Sequence, residues 1–313
     1  MSPLPRWLSN RPPSAALEIT ARRVTLAVVT NQGGRVLSGY ANEPLPEGAV
    51  EPALNAVNVH DPAALTAAVR AALENAGPHP RRIALVLPDI VGKLSLVRFE
   101  KIPAKMQDLD QLIRWQVRKA APFKIEDAQI AWVPGMALPE GGREYVVVVA
   151  RRDIVESYER ACEAAGVYPG IVDLASINLI NASLVTQASA PGGDWLLVHV
   201  APEYSTLAVV RGGDVVFFRT RPSEQDENLA DLVHQTAMYH EDRLGGGGFA
   251  RVWLSGGGAA TDVARAEVSA RLNVSVGTFD IASAAGVRDR GGPTDLADTL
   301  AAPVGILIRE RAA

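Results

Sequence analysis

The sequence predicts an α/β protein whose core is built twice. Strand-like and helix-like segments alternate along the chain, the pattern of that class. Two strand-turn-strand units open its two halves, over residues 17–40 and 195–221. The two units share a tetrapeptide, Leu26-Ala27-Val28-Val29 returning as Leu207-Ala208-Val209-Val210. Whole units repeated in this way point to internal duplication.

The elements follow in order. In the first unit residues 17–19 and 24–29 are short apolar strands, Gly33-Gly34 is a turn, and residues 36–40 return. Residues 43–59 carry three prolines and no period, so they read as a loop. Asp61-Pro62 starts a helix, with Asp as N-cap and Pro at the first helical position. Leu65, Val69 and Leu73 share one face of it, and Gly77-Pro78 ends it. Residues 82–87 are a strand stopped by Pro88. Residues 94–99 are another strand, closed by Ile102-Pro103. A helix over 106–121 sets Leu109, Leu112, Ile113, Gln116 and Ala120 at helical spacing, with Asp108 and Asp110 early and Arg114, Arg118 and Lys119 late, the order that complements the helix dipole. Residues 128–133 and 145–150 are strands joined by a turn at Pro139-Glu140-Gly141-Gly142, so 85–150 reads as a small sheet with one crossing helix.

Asp153 caps a helix ended by Gly166; residues 171–174 are a strand leading into a helix through Leu184, and 188–194 are a linker. In the second unit residues 196–200 and 205–210 are strands, Gly212-Gly213 is a turn and 215–218 return. A helix over 223–244, a flexible glycine join at 245–248, a strand at 251–254, a helix at 260–272 and a strand at 274–276 follow. Residues 288–293 are turn-rich and 297–308 form a closing helix.

The chain's 313 residues suffice for two lobes. A net charge of −4 argues against non-specific nucleic-acid binding. The single cysteine, Cys162, excludes an intrachain disulfide and lies at apolar helical spacing, as a small buried hydrophobe would in a reducing cytoplasm. No apolar run approaches the roughly 18 residues of a transmembrane segment. Residues 1–13, rich in Pro and Arg, read as a flexible leader. The five histidines form no metal-ligand spacing, so no metal site is expected. Hydrolase, P-loop and dinucleotide motifs are missing. Ser255-Gly256-Gly257-Gly258 follows a strand and precedes a helix, where backbone amides point outward; it is either a ligand approach or a tight turn.

Taken together, the duplicated strand units, the late Leu254-Ser255-Gly256-Gly257-Gly258 and the block carrying Ile102-Pro103, Ile113-Arg114-Trp115, Pro122-Phe123 and Trp132 resemble the PilM family, the actin-like cytoplasmic proteins of type IV pilus assembly. Val172-Asp173-Leu174 with Asn178 is similar to that family's connecting segment, and Pro303-Val304-Gly305 with Leu307 to its closing helix. The resemblance implies a duplicated actin-like (ribonuclease-H-like) fold, two lobes around a nucleotide cleft, with an inserted small α+β subdomain. It divides the chain into a leader (1–13), a first lobe (14–84 and 151–187), the inserted subdomain (85–150), a second lobe (188–296) and a closing helix returning to the first lobe (297–313).

It also implies a nucleotide site, at Glu18, Thr20, His199, Gly256, Gly257 and Gly258. Here the chain departs from the family. The first phosphate loop, roughly L-D-I-G-S-S-S-V-K, stands as Leu17-Glu18-Ile19-Thr20-Ala21-Arg22-Arg23-Val24-Thr25. The second, roughly D-I-G-A-S-T-T, stands as His199-Val200-Ala201-Pro202-Glu203-Tyr204-Ser205. A phosphate cradle needs close backbone N–H groups, which Cβ atoms obstruct and Pro202 lacks. Glu203 brings an anion to where phosphate would lie, a repulsion of about 4 kcal/mol at 4 Å in a surface-like dielectric. The expectation is a pseudo-ATPase with a vestigial cleft and no assigned cofactor, ATP with Mg²⁺ being what the resemblance alone would carry.

The family's partner is PilN, an inner-membrane protein with a short cytoplasmic tail. By resemblance the chain is a non-catalytic cytoplasmic scaffold of a type IV pilus or related secretion machine, peripheral to the inner membrane through that tail. A second copy of the chain is a further candidate partner. The groove between the inserted block and the first lobe would take the tail as an extended segment, on Leu94, Leu96, Ile113, Trp115 and Phe123. The alternatives are a weakly hydrolysing actin-like ATPase, a kinase of the sugar-kinase superfamily, and the cytoplasmic part of a GspL-type secretion protein. The enzymes need an acid at both phosphate loops, where only Glu18 remains. The GspL type continues into a membrane span that this sequence does not contain.

Overall fold

The computed structural model describes residues 13–31, 35–77, 80–186, 192–223, 228–256, 261–277 and 298–308. Residues 1–12 of the leader called at 1–13, the turns at Gly33-Gly34 and 288–293, and Gly257-Gly258 lie outside them. Each predicted strand unit founds one five-stranded sheet. In the first, β1 (Ala15–Ile19), β2 (Arg23–Asn31) and β3 (Arg35–Pro44) form an antiparallel meander. The strands β4 (Arg82–Leu87) and β8 (Tyr168–Leu174) then join in parallel, giving the order β3-β2-β1-β4-β8. In the second, β9 (Trp195–Val200), β10 (Tyr204–Arg211), β11 (Asp214–Pro222), β12 (Arg251–Gly256) and β13 (Val276–Gly277) take the same positions, β11-β10-β9-β12-β13. The likeness extends to defects. The β2–β3 ladder slips between Val28 and Val29, and the β10–β11 ladder between Val209 and Val210, the same step of the repeated tetrapeptide. A bulge shared at that step is a structural signature of duplication, because bulges are specific local features that bend and twist a strand.

Two compact units result, one made of the described parts of Met1–Pro88, Asp153–Ser189 and Asp280–Ala313, the other of Asp89–Arg152 and Ala190–Phe279. In the first unit every residue of β1 is buried, so both faces of the sheet are covered. One pair of helices is α1 (Pro62–Ala76) and α3 (Arg152–Ala164), tied by Arg70 donating to the Ala164 carbonyl. Asp61 caps α1 by accepting from the amides of Ala63 and Ala64. The other pair is α4 (Ala175–Thr186) and α7 (Ala301–Ile308). Gly305 permits their close crossing, since a Cβ there would run into the Asn178 carbonyl. The loop at 43–59 is held from inside. Buried Asn58 donates to the carbonyls of Ala53 and Ala56 and accepts from the Tyr158 hydroxyl. Burial, followed by the nearby Glu159 and Glu163, pushes the Cys162 thiol up to about 12, so it stays protonated and inert.

In the second unit the second sheet carries α5 (Leu229–Leu244) and α6 (Thr261–Leu272) over a core of Leu196, Val198, Leu207, Val209, Leu232, Val252 and Leu254. The inserted block is a separate antiparallel sheet of β5 (Gly92–Phe99), β6 (Ala128–Ala137) and β7 (Arg143–Arg151), in the order β5-β7-β6, crossed by α2 (Met106–Arg118). Its core joins Val97, Tyr145, Val147, Val149 and Trp132 to Leu109, Ile113 and Val117 of the helix. Trp132 Nε1 of β6 donates to Asp110 of α2 at 3.0 Å, fastening the helix to the sheet, and Arg114 Nε, on the same helix, holds that carboxylate at 2.7 Å. The block packs within the same compact unit as the second sheet, and Met136 of β6 enters that sheet's core.

Two helix boundaries and the glycine join are among the differences from expectation. The helix α2 stops at Arg118, and Lys93 Nζ then caps the Ala120 carbonyl at 2.6 Å. The helix α5 starts at Leu229, where Asn228 supplies the N-cap, because residues up to Pro222 are taken by β11. The glycine join at 245–248 is fastened: the Gly246 amide donates to the His240 carbonyl and the Ala250 amide to the Asp194 carbonyl.

Candidate functional site

The first phosphate turn lies at the carboxyl end of β1 and is closed on itself. Thr20 donates its amide to the Arg23 carbonyl at 2.9 Å, while its hydroxyl oxygen accepts from the amides of Arg22 (3.3 Å) and Arg23 (3.1 Å). Three amides of this four-residue turn are thus committed within the turn. A phosphate would have to displace them, each substitution exchanging one hydrogen bond for another with little net gain. Glu18 is buried on β1, paired across to Thr25 and Val86. Arg22 is exposed, 3.9 Å from Glu47.

The second turn, at the carboxyl end of β9, is closed differently. The Ala201 amide donates to the Tyr204 carbonyl at 2.9 Å, and Pro202 has no N–H to give. Tyr204 is buried, and its hydroxyl oxygen accepts from the Asp89 amide at 3.1 Å. That hydroxyl lies 3.3 Å from His199 Nε2. Whichever of the two donates, Nε2 is engaged by that hydroxyl. Nδ1 is itself buried with no partner. Imidazole is a poor ligand for Mg²⁺, which takes oxygen donors. Across the strand, Gly256 ends β12 at φ 82°, where a Cβ would run into the Val200 carbonyl. Gly256 is therefore required by the close approach of β12 to β9, which is a structural reason for it. The residues present do not fit a Mg²⁺–nucleotide cradle at either turn. Among the described residues no group of three or more His, Cys, Asp and Glu is placed to hold a metal ion.

The five residues named for partner contact do not share one surface. Strand residues alternate in direction. Val97 of β5 faces α2, so Leu94 and Leu96 face the other side of the sheet, where they are half-buried opposite Val148 and Val146. Ile113 is fully buried between α2 and the sheet, and Phe123 packs on the same core. Ile113 is thereby corrected from contact residue to core residue, since a side chain without exposed surface has none to offer. Trp115 is 59% exposed on the outer face of α2, its ring under the Lys119 ammonium at 5.7 Å.

Sequence reasoning missed a polar cluster in the second unit. Asp194, in the stretch read as a linker, takes a bidentate grip from Arg211 (2.6–3.0 Å) and a bond from fully buried His240 at 2.6 Å. Burial pushes the Asp194 carboxyl up, but Arg211 and His240 outweigh it and hold the group below its usual range. His240 stacks on Phe249 and Arg211 also caps the Leu244 carbonyl, so the cluster pins the glycine join. The local signal was one histidine on a helix; its partners are 29 and 46 residues away.

Comparison with known proteins places this architecture. No curated protein matches the sequence. Among solved structures, the PilM–PilN type IV pilus biogenesis complex matches over 96% of this chain and 99% of that one, at 18% identity and a TM-score of 0.81. A Bacteroides thetaiotaomicron protein with an actin-like ATPase fold matches over 95% and 99%, at 9% identity and a TM-score of 0.50. The cytoplasmic domain of EpsL, an inner-membrane component of the Vibrio cholerae type II secretion system, covers 77% and 80%, at 10% identity and a TM-score of 0.47. The first two likenesses speak to fold, and the fold is the duplicated actin-like one with an inserted sheet. The sequence itself matches the family of the type IV pilus assembly protein PilM over residues 16–242, most of the chain. With the paired sheets and the inserted block both accounted for, the chain belongs to the type IV pilus assembly protein PilM family.

Proposed function

We propose that this chain is a non-catalytic scaffold of a type IV pilus machine that binds the short cytoplasmic tail of a PilN-like inner-membrane protein. The observation that carries the reading is the family match together with the end-to-end likeness to a PilM–PilN complex. The closed turns at Thr20 and Pro202 support a pseudo-ATPase, because the amides of the first are committed within the turn and the second has Pro202 in place of a donor and His199 where an acid would stand. No helix among the described residues is long and apolar enough to cross a membrane, which fits attachment through a partner. The tail lies along the inserted sheet on Leu94 and Leu96, the face away from α2; Trp115 and Phe123, on the α2 side, are a separate contact, with Ile113 as the core under that side. A synthetic peptide of the PilN-like tail, titrated calorimetrically into the full chain, tests this. Saturable binding weakened several-fold by Leu96→Ala is expected, and absence of binding at high micromolar peptide refutes it. A thermal-shift titration with ATP, with and without Mg²⁺, tests the second half. No saturable rise in melting temperature is expected, since only a ligand that binds the native state raises it.

A further inference from the structure

At one edge of the first sheet β4 and β8 fall out of step. Ile83 pairs with Pro169 and Ala84 with Ile171, leaving Gly170 as the extra residue of a bulge on an edge strand. Bulges at sheet edges often re-aim a side chain. Here the side chain is Arg82, whose Nη2 and Nε lie 2.8 and 3.2 Å from where a Cβ on Gly170 would stand. The guanidinium thus rests over bare backbone that only glycine leaves open. Arg81 adjoins it. Both line a cavity of about 410 Å³ with Pro13, Ser14, Pro80 and Ile171. No carboxylate is among the lining residues, and no acceptor among the described residues takes a hydrogen bond or ion pair from either guanidinium. By contrast Arg98, Arg114 and Arg211 each meet a carboxylate at 2.6–2.7 Å.

We propose that this pocket binds the phosphate group of an anionic ligand. The Arg82 fork matches two phosphate oxygens, Arg81 supplies the second positive charge, and the Ser14 hydroxyl is a further donor. The site is distinct from the closed turns. It lies at the starting ends of β1, β4 and β8, whereas the Thr20 turn follows the far end of β1. A free phosphate-bearing metabolite and a phospholipid headgroup present the same chemistry, and the cavity is of a size that takes small molecules.

The test uses the full chain, with inorganic phosphate as one probe and vesicles of equal parts phosphatidylcholine and phosphatidylglycerol as the other. Phosphate is titrated by thermal shift and by ³¹P line broadening, and vesicles by co-sedimentation. Arg81→Gln/Arg82→Gln and Gly170→Ala are each expected to weaken binding by about tenfold or more, as loss of a charge-assisted pair does. Gly170→Ala does so by pushing the guanidinium off the bulge. Arg118→Gln, an exposed arginine elsewhere, leaves binding intact. Phosphate binding without sedimentation assigns a soluble ligand, and sedimentation lost in the double variant assigns a lipid one. If the double variant does not fold, Arg82→Lys, which keeps the charge and loses the fork, is read in its place. Binding of neither probe by the wild type overturns the proposal, as does equal binding by wild type and variants or an equal loss in Arg118→Gln.

Discussion

Replacing Asp194 by asparagine removes one charge from the centre of the cluster that pins the second unit's glycine join. The carboxylate meets two partners, Arg211 through three contacts of 2.6–3.0 Å and His240 through one of 2.6 Å. Hydrogen bonds to charged groups contribute about 1.5–3 kcal/mol each. The side chains of Arg211 and Asp194 are 35% and 12% exposed, so water screens part of the first and little of the second. Asn retains one acceptor, which leaves a net loss of about 2–3 kcal/mol. Urea unfolding followed by fluorescence of Trp195, the adjoining residue and itself buried, measures it. The effect has a sign in pH. The folded carboxyl sits below its usual range, so its contribution is complete above the unfolded value of about 3.9 and fades as pH falls through the folded value. Asp194→Asn should therefore converge on the wild type in acid. A gap below about 1 kcal/mol at neutral pH, or one that widens on acidification, refutes the assignment.

Other substitutions separate core from surface. Ile113→Ala should cost about 3–4 kcal/mol, a fully buried aliphatic deletion, whereas Trp115→Ala should change stability by about 0.5 kcal/mol at most and appear in peptide calorimetry instead. Equal stability losses in the two would contradict the placement of α2. Trp132→Phe keeps an aromatic six-membered ring but deletes the bond to Asp110 and the buried pyrrole; a loss of about 1–2 kcal/mol or more is expected, and a neutral result by urea titration would mean that the bond does not hold the helix. Gly256→Ala combines a left-handed φ of 82° with a collision on the Val200 carbonyl, so a loss above about 2 kcal/mol is expected by thermal unfolding, and tolerance would show that β12 can withdraw from β9.

The parts of this fold that were legible are those whose cause is local. Asp61-Pro62 announces α1 because a cap and a fixed φ act within one turn. Alternating Val and Leu announce β2 and β10, and the repeated tetrapeptide announces duplication. What was not legible depends on distant partners. Tyr204 meets Asp89 across 115 residues, and no pattern near either foretells it. The glycine join looked loose because glycines carry no side chain, yet its amides are held by carbonyls brought there by the fold. Ile113 and Trp115 stood together in one motif, but two residues on a helix are about 200° apart, and only the inserted sheet decides which of them is covered. The chemistry of the phosphate turns was legible in part: Pro202 declares a missing donor, while the Thr20 hydroxyl consuming its neighbours' amides does not show in the letters.

The two bulged hairpins have a consequence for how the chain folds. Since β2 and β10 share a tetrapeptide and slip at the same step, each carries the twist the other needs, and each is a credible partner for the other's central strand while the chain is still open. What keeps them apart is connection, since a turn of only three residues ties each to its own central strand. In the first sheet Ala27 lies opposite Ala16 and Val28 opposite Ala15, a narrow seam; in the second, Ala208 lies opposite Leu197 and Val209 opposite Leu196. An exchange would leave these pairs unchanged in size, Ala27 meeting Leu197 as Ala208 does and Val209 meeting Ala15 as Val28 does. A duplicated chain that keeps the same backbone program in both halves can separate its copies by the order of connection, and here that separation rests on the short turns at 20–22 and 201–203.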